Sequence, residues 1–210
     1  MGIYLNPENV DFQEVLNSKI YVDKSELIQY TNSVLRTTQK YICVSRPRRF
    51  GKSMAANMLT AYYSRGCDSR KLFQGLKIAT HPDFEKHLNQ YNVIHLNMRD
   101  YLTESENMKQ LIQFVEDDLL DELQQEFSDL RMPRRKTLVK VLEQAFVQYK
   151  IPFVFIIDEW DCIFRVHKSD AASQKEYLDF LRNLLKDKSY IALAYMTGIL
   201  PIKKYGEHSA

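Results

Sequence analysis

Four short apolar runs, each nearly continuous and each ended by polar or turn residues, limit the fold of this chain more than any other feature. They are Tyr41 to Val44, Val93 to Leu96, Phe153 to Ile157 and Ile191 to Met196. Runs rich in branched and aromatic side chains, without a polar face, suit strands covered on both sides. Segments of helical period lie between them. MAANMLTAYYS follows Ser53. Glu104 to Leu130 carries Met108, Leu111, Ile112, Val115, Leu119, Leu123 and Phe127 at spacings of three and four. Lys136 to Lys150 and Lys175 to Lys186 repeat the pattern. Strand alternating with helix predicts an α/β domain of three layers around a mostly parallel sheet.

The remaining stretches are less regular. Residues 1–39 read as a mixed lead-in packed on a core of residues 40–210, with an edge strand expected at Ile20 to Val22 and a helix from Ser25. Glu116, Asp117, Asp118, Asp121, Glu122 and Glu126 crowd the long helix, and RMPRRK, Arg131 to Lys136, makes a basic, proline-broken link after it. A solvated helix face and an exposed loop account for both.

Composition removes several classes of function. With 29 basic and 27 acidic residues the formal charge is +2, so no global field draws the chain to nucleic acid or an anionic membrane. Nucleic-acid binding would rest on the local clusters at Arg48, Arg49 and 131–136 alone. Cys43, Cys67 and Cys162 are odd in number and widely spaced, which fits neither a disulfide framework nor a paired zinc site and points to a reducing cytoplasm. His81, His87, His95, His167 and His208 lack metal-ligand spacing and read as surface or satisfied core. No basic-then-apolar leader, myristoylation site or run of membrane-spanning length is present, so no membrane partner is expected.

The chemistry concentrates at the ends of the apolar runs. SRPRRFGKS, Ser45 to Ser53, follows the first run and opens a helical segment, the context a phosphate loop requires. In such a loop the backbone N–H groups form an anion nest, the lysine reaches the outer phosphates and the hydroxyl ligates magnesium. Gly51, Lys52 and Ser53 match the last positions of GxxxxGK[ST]. Arg46 stands where the first glycine would be, followed by Pro47, which has no N–H to donate. A left-handed Arg46 would cost about 1 to 2 kcal/mol relative to glycine, so another backbone path is expected, with donors drawn from Arg49, Phe50, Gly51, Lys52, Ser53 and Met54. Arg48 and Arg49 would offset phosphate charge or face a neighbouring acidic surface.

FVFIIDEWD, Phe153 to Asp161, is an apolar strand ending in adjacent carboxylates, as a Walker B strand does. Asp158 would hold magnesium with Ser53, and Glu159 would orient and deprotonate the attacking water. Acids also end strands as solvated loop residues. The combination with an upstream Lys-Ser pair and one intervening strand favours the catalytic reading. Thr197, at the end of the fourth run, is a candidate sensor of the γ-phosphate if that strand lies between the other two, and otherwise helps the chain turn before Gly198. Asn97, ending the second run, is a weaker candidate for restraining Glu159. The readings carried forward are catalytic Glu159, Lys52 and Thr197; nucleotide binding by Arg46, Pro47, Arg48, Arg49, Phe50, Gly51, Lys52, Ser53 and Met54; and magnesium at Ser53 and Asp158.

RPRRFGKSM, the upstream YVDKS, the IDEWD strand and TGILPIKK together resemble the AAA-ATPase-like domain, a P-loop NTPase found at the amino end of many bacterial proteins. The resemblance implies a P-loop NTPase fold, ATP and Mg2+, and accounts for Arg46, since that family carries an arginine-bearing phosphate loop. It implies longer relatives that commonly continue into a lid and a nuclease-like domain of the PD-(D/E)XK class; self-association is a separate expectation. A fifth core strand, the lid and an arginine finger would then fall beyond Ala210, so the core is expected to be incomplete, truncated at its C-terminus, and hydrolysis weakened or lost with it. Two functions follow: a magnesium-dependent ATPase that moves or assembles a partner, or a non-hydrolysing nucleotide-dependent module that signals to an attached effector.

Overall fold

The computed structural model describes residues 2–200. Pro201 to Lys204 of the TGILPIKK segment, and His208, lie outside them. Four strands, β1 (Tyr41–Ser45), β2 (Asn92–Asn97), β3 (Phe153–Asp158) and β4 (Ile191–Gly198), form one sheet in the order β1-β4-β3-β2, every neighbouring pair parallel. The last strand therefore lies between the first and third, the condition on which Thr197 comes to the site edge. The fold is the α/β arrangement of a P-loop NTPase.

Each strand serves two cores because its side chains alternate. Phe153, Phe155 and Ile157 of β3 face one cluster, and Val154 and Ile156 face the other. The first cluster is covered by α6 (Met98–Glu104), α7 (Met108–Glu126), α8 (Leu138–Tyr149), α9 (Cys162–Val166) and α10 (Ala171–Leu185). The second takes in α1 (Val10–Leu16), α2 (Glu26–Val34), α3 (Lys52–Tyr63) and the short helices α4 (Arg70–Phe73) and α5 (Phe84–His87). Ala56 and Ala61 of α3 are fully buried, and their small side chains let this helix lie close to the sheet. Its amino end is thereby fixed beside the carboxyl ends of the strands.

The helices differ from the sequence expectation where capping chemistry intervenes. The long helix expected over 104–130 is divided: Asn107 accepts the N–H of Gln110 at 3.0 Å and restarts the chain as α7. Likewise Asp170 accepts the N–H of Ser173 at 3.0 Å and begins α10 ahead of Lys175. The acidic face of α7 is also less solvated than expected. Glu122 accepts backbone N–H bonds from Ile3 and Leu5, both at 2.6 Å, Asp118 accepts from the Tyr101 hydroxyl at 3.0 Å, and Glu126 pairs with Arg65 at 2.8 Å. These carboxylates fasten the first residues of the chain and α6 to α7.

No edge strand forms at Ile20 to Val22. Asp23 and Ser25 divert the segment instead, accepting the N–H groups of Lys77 (2.8 Å) and Ile78 (3.1 Å). The helix expected from Ser25 is present as α2.

Candidate functional site

Parallel strands bring all their carboxyl ends to one edge, and the candidate residues collect there. β1 hands the chain to the loop 46–51, whose entry is tied to β4: the Arg46 N–H donates to the Gly198 carbonyl (3.1 Å) and the Ser45 hydroxyl to that of Ile199 (2.8 Å). Arg46 does not adopt the left-handed conformation. Positive φ falls at Arg49 (68°) and at Gly51 (72°), which is the N-cap of α3. The left-handed turn thus begins three residues after Arg46. Arg46, Pro47, Arg48, Arg49 and Phe50 are exposed.

No side chain caps α3 at Gly51. The N–H groups of its first turn, which a helix cannot satisfy internally, thus face the loop together with the positive end of the helix dipole. Lys52 is buried at this end, and its ammonium donates to the Pro47 carbonyl at 3.1 Å, folding back across the loop. Ser53 and Met54 are exposed beside it.

The acids of β3 part company at the strand end. Asp158 is buried and accepts hydrogen bonds from the Ser53 hydroxyl, the Thr197 hydroxyl and the Glu159 N–H. One carboxylate thus joins the end of β3 to α3 and to β4. Thr197 is wholly buried, and its hydroxyl is directed at Asp158. Glu159 has a left-handed backbone (φ 53°) and sends its carboxylate to the Arg165 guanidinium of α9. Asn97 is engaged elsewhere, accepting the Arg99 N–H at 3.2 Å to cap α6.

Three features here are absent from the sequence reading. Arg165 partners Glu159, although its spacing of one helical turn from Asp161 is a visible signal. Lys24 of YVDKS donates to the Phe50 carbonyl at 3.1 Å and braces the loop. Beside the loop lies a pocket of about 360 Å³ lined by Ile20, Tyr21, Val22, Phe50, Met54 and Met58 among others. Ile20, Val22, Phe50 and Met54 are also among the large apolar residues left exposed.

Among the described residues no cluster of three or more His, Cys, Asp or Glu gathers as a metal site, and no helix is long and apolar enough to cross a membrane. A family model described as Predicted AAA-ATPase, of the AAA-ATPase-like family, matches residues 10–206. The search of curated proteins gives no match.

Proposed function

Because the chain belongs to the AAA-ATPase-like family, we propose that it binds ATP at the 46–54 loop and hydrolyses it, with Glu159 as the water-activating acid. The observation that carries the reading is the hydrogen bond between Ser53 and Asp158: residues far apart in sequence, each at the end of its motif, meet at one point. A hydroxyl and a carboxylate side by side at a helix N-terminus are hard oxygen donors of the kind that bind magnesium beside phosphate. The ion would be held by Ser53 and Asp158 once their mutual hydrogen bond opens, and when bound it would supply charge neutralisation for the phosphates. Thr197 holds Asp158 in place from β4.

The protein groups divide the remaining work. Lys52 exchanges its bond to the Pro47 carbonyl for an outer phosphate oxygen, a charge-assisted contact. The backbone donors of Gly51 to Met54 cradle the phosphates. Glu159 takes a proton from water as its oxygen attacks the γ-phosphorus, and the bond from that phosphorus to the bridging oxygen breaks with its electron pair left on ADP. The adjoining apolar pocket suits the base, with Ile20, Val22, Phe50 and Met54 covering its faces. In this scheme residues 1–39 form a lead-in that supplies one wall of the site, and 40–210 the ATPase core.

Glu159→Gln separates hydrolysis from binding alone. The variant should retain ATP affinity and lose turnover by about a hundredfold or more, the usual weight of a general base. ATP binding without turnover in the unsubstituted chain would replace this reading with the non-hydrolysing regulatory one, whereas turnover unaltered in the variant would remove Glu159 from the chemistry.

A further inference from the structure

Glu159 lies between two constraints that the hydrolytic scheme leaves unused. Its backbone is left-handed (φ 53°), and its Oε2 is bound by the Arg165 guanidinium. Both side chains are about four-fifths shielded from solvent, with 19% exposure each. Arg165 also meets a second carboxylate on its other side. Its Nε lies 3.5 Å from Oδ2 of Asp161, a carboxylate with no exposure that also accepts the N–H groups of Ile199 (2.9 Å) and Leu200 (2.7 Å). The series runs from the end of β4, through Asp161 and Arg165, to Glu159.

A carboxylate on a flexible side chain loses much of its value as a base if it samples many rotamers, because the reacting atoms must be held in near-attack geometry. A guanidinium can limit this, and here one terminal nitrogen, Nη2, holds Oε2 and restricts the rotamers open to the side chain. The grip is on Oε2, which leaves Oε1 to accept a proton from water. The buried Asp161 faces the guanidinium from the other side as an opposite charge at 3.5 Å. This is how a partner one step removed from the reacting atoms orients a catalytic group.

We propose that Arg165 is a positioning residue that holds Glu159 in the orientation needed to activate water, with Asp161 and the end of β4 as its anchor. The proposal rests on the hydrolytic reading above, and its test separates the two. ATP turnover and ATP dissociation constants are measured for the unsubstituted chain, Arg165→Ala, Glu159→Gln, the double variant and Arg165→Lys. Arg165→Ala should lower kcat by about tenfold or more, as loss of an orienting partner does, while the dissociation constant stays within about twofold. Arg165→Lys should fall between, and the double variant should be no slower than Glu159→Gln alone.

Unchanged kcat in Arg165→Ala, or a loss that multiplies with that of Glu159→Gln, would overturn the positioning role. So would parallel loss of affinity and thermal stability, the mark of a merely structural contact. If Arg165→Ala does not fold, Arg165→Lys carries the test: reduced kcat at constant affinity supports the proposal, and full kcat overturns it. Normal turnover in Glu159→Gln would instead remove the acid itself, and the positioning role with it.

Discussion

At the scale of single residues the site depends on a few close approaches. Gly198 is one. A Cβ at this position would lie 2.7 Å from Nε1 of Trp160 and 2.8 Å from Oδ1 of Asp161, closer than real Cβ contacts come, and both neighbours are buried. Gly198→Ala should therefore destabilise the fold by about 1 to 3 kcal/mol, the range for an added methyl in a packed interior. Chemical denaturation measures it, and unchanged stability would show that Trp160 and Asp161 have room to move. The SRPRRFGKS string and the paired acids stand out in the sequence because each is made of adjacent residues. Arg165 does not, since its meeting with Glu159 depends on a left-handed turn that nothing in the residue type of Glu159 announces.

At the scale of elements, apolar runs translated into strands almost residue for residue, because a strand buried on both faces tolerates few polar positions. Helix limits were less legible, being set by Asn107 and Asp170 caps rather than by the apolar period. Ile20 to Val22 has the composition of a strand, yet the neighbouring Asp23 and Ser25 bonds direct it to the pocket.

The packing of β2 on α3 carries a pH dependence. His95 on β2 meets the Thr60 hydroxyl of α3 at 3.1 Å, and burial holds its pKa below the ordinary imidazole value, opposed in part by Asp158 and Asp11. An imidazole lowered in this way stays neutral in the folded chain while the unfolded chain takes up a proton below about pH 6.5. Stability is thus fully present above that value and is lost as pH falls toward the lowered folded pKa. His87, lowered by burial and by Lys86, acts with the same sign. Denaturation midpoints should decline from about pH 7 to about pH 5.5, and less steeply in His95→Gln. Equal slopes in the two chains would assign the decline elsewhere.

For the whole molecule, parallel topology accounts for the site. A sheet ordered β1-β4-β3-β2 with every pair parallel delivers Ser45, Thr197, Asp158 and Asn97 to one edge, and the helix after β1 starts there with its N–H groups toward them. Sequence alone supports this much, since the order of strands follows from the class of fold. It could not reveal that the lead-in lines the apolar pocket, because that depends on how residues 20–24 cross the loop 46–51. Every role proposed for this edge requires that it bind ATP through the loop. Calorimetric titration with ATP and magnesium tests it most directly, on the unsubstituted chain and on Lys52→Ala. Saturable binding in the first and none measurable in the second, with both chains folded, is the predicted result; equal affinity in the two, or no binding in either, would contradict it.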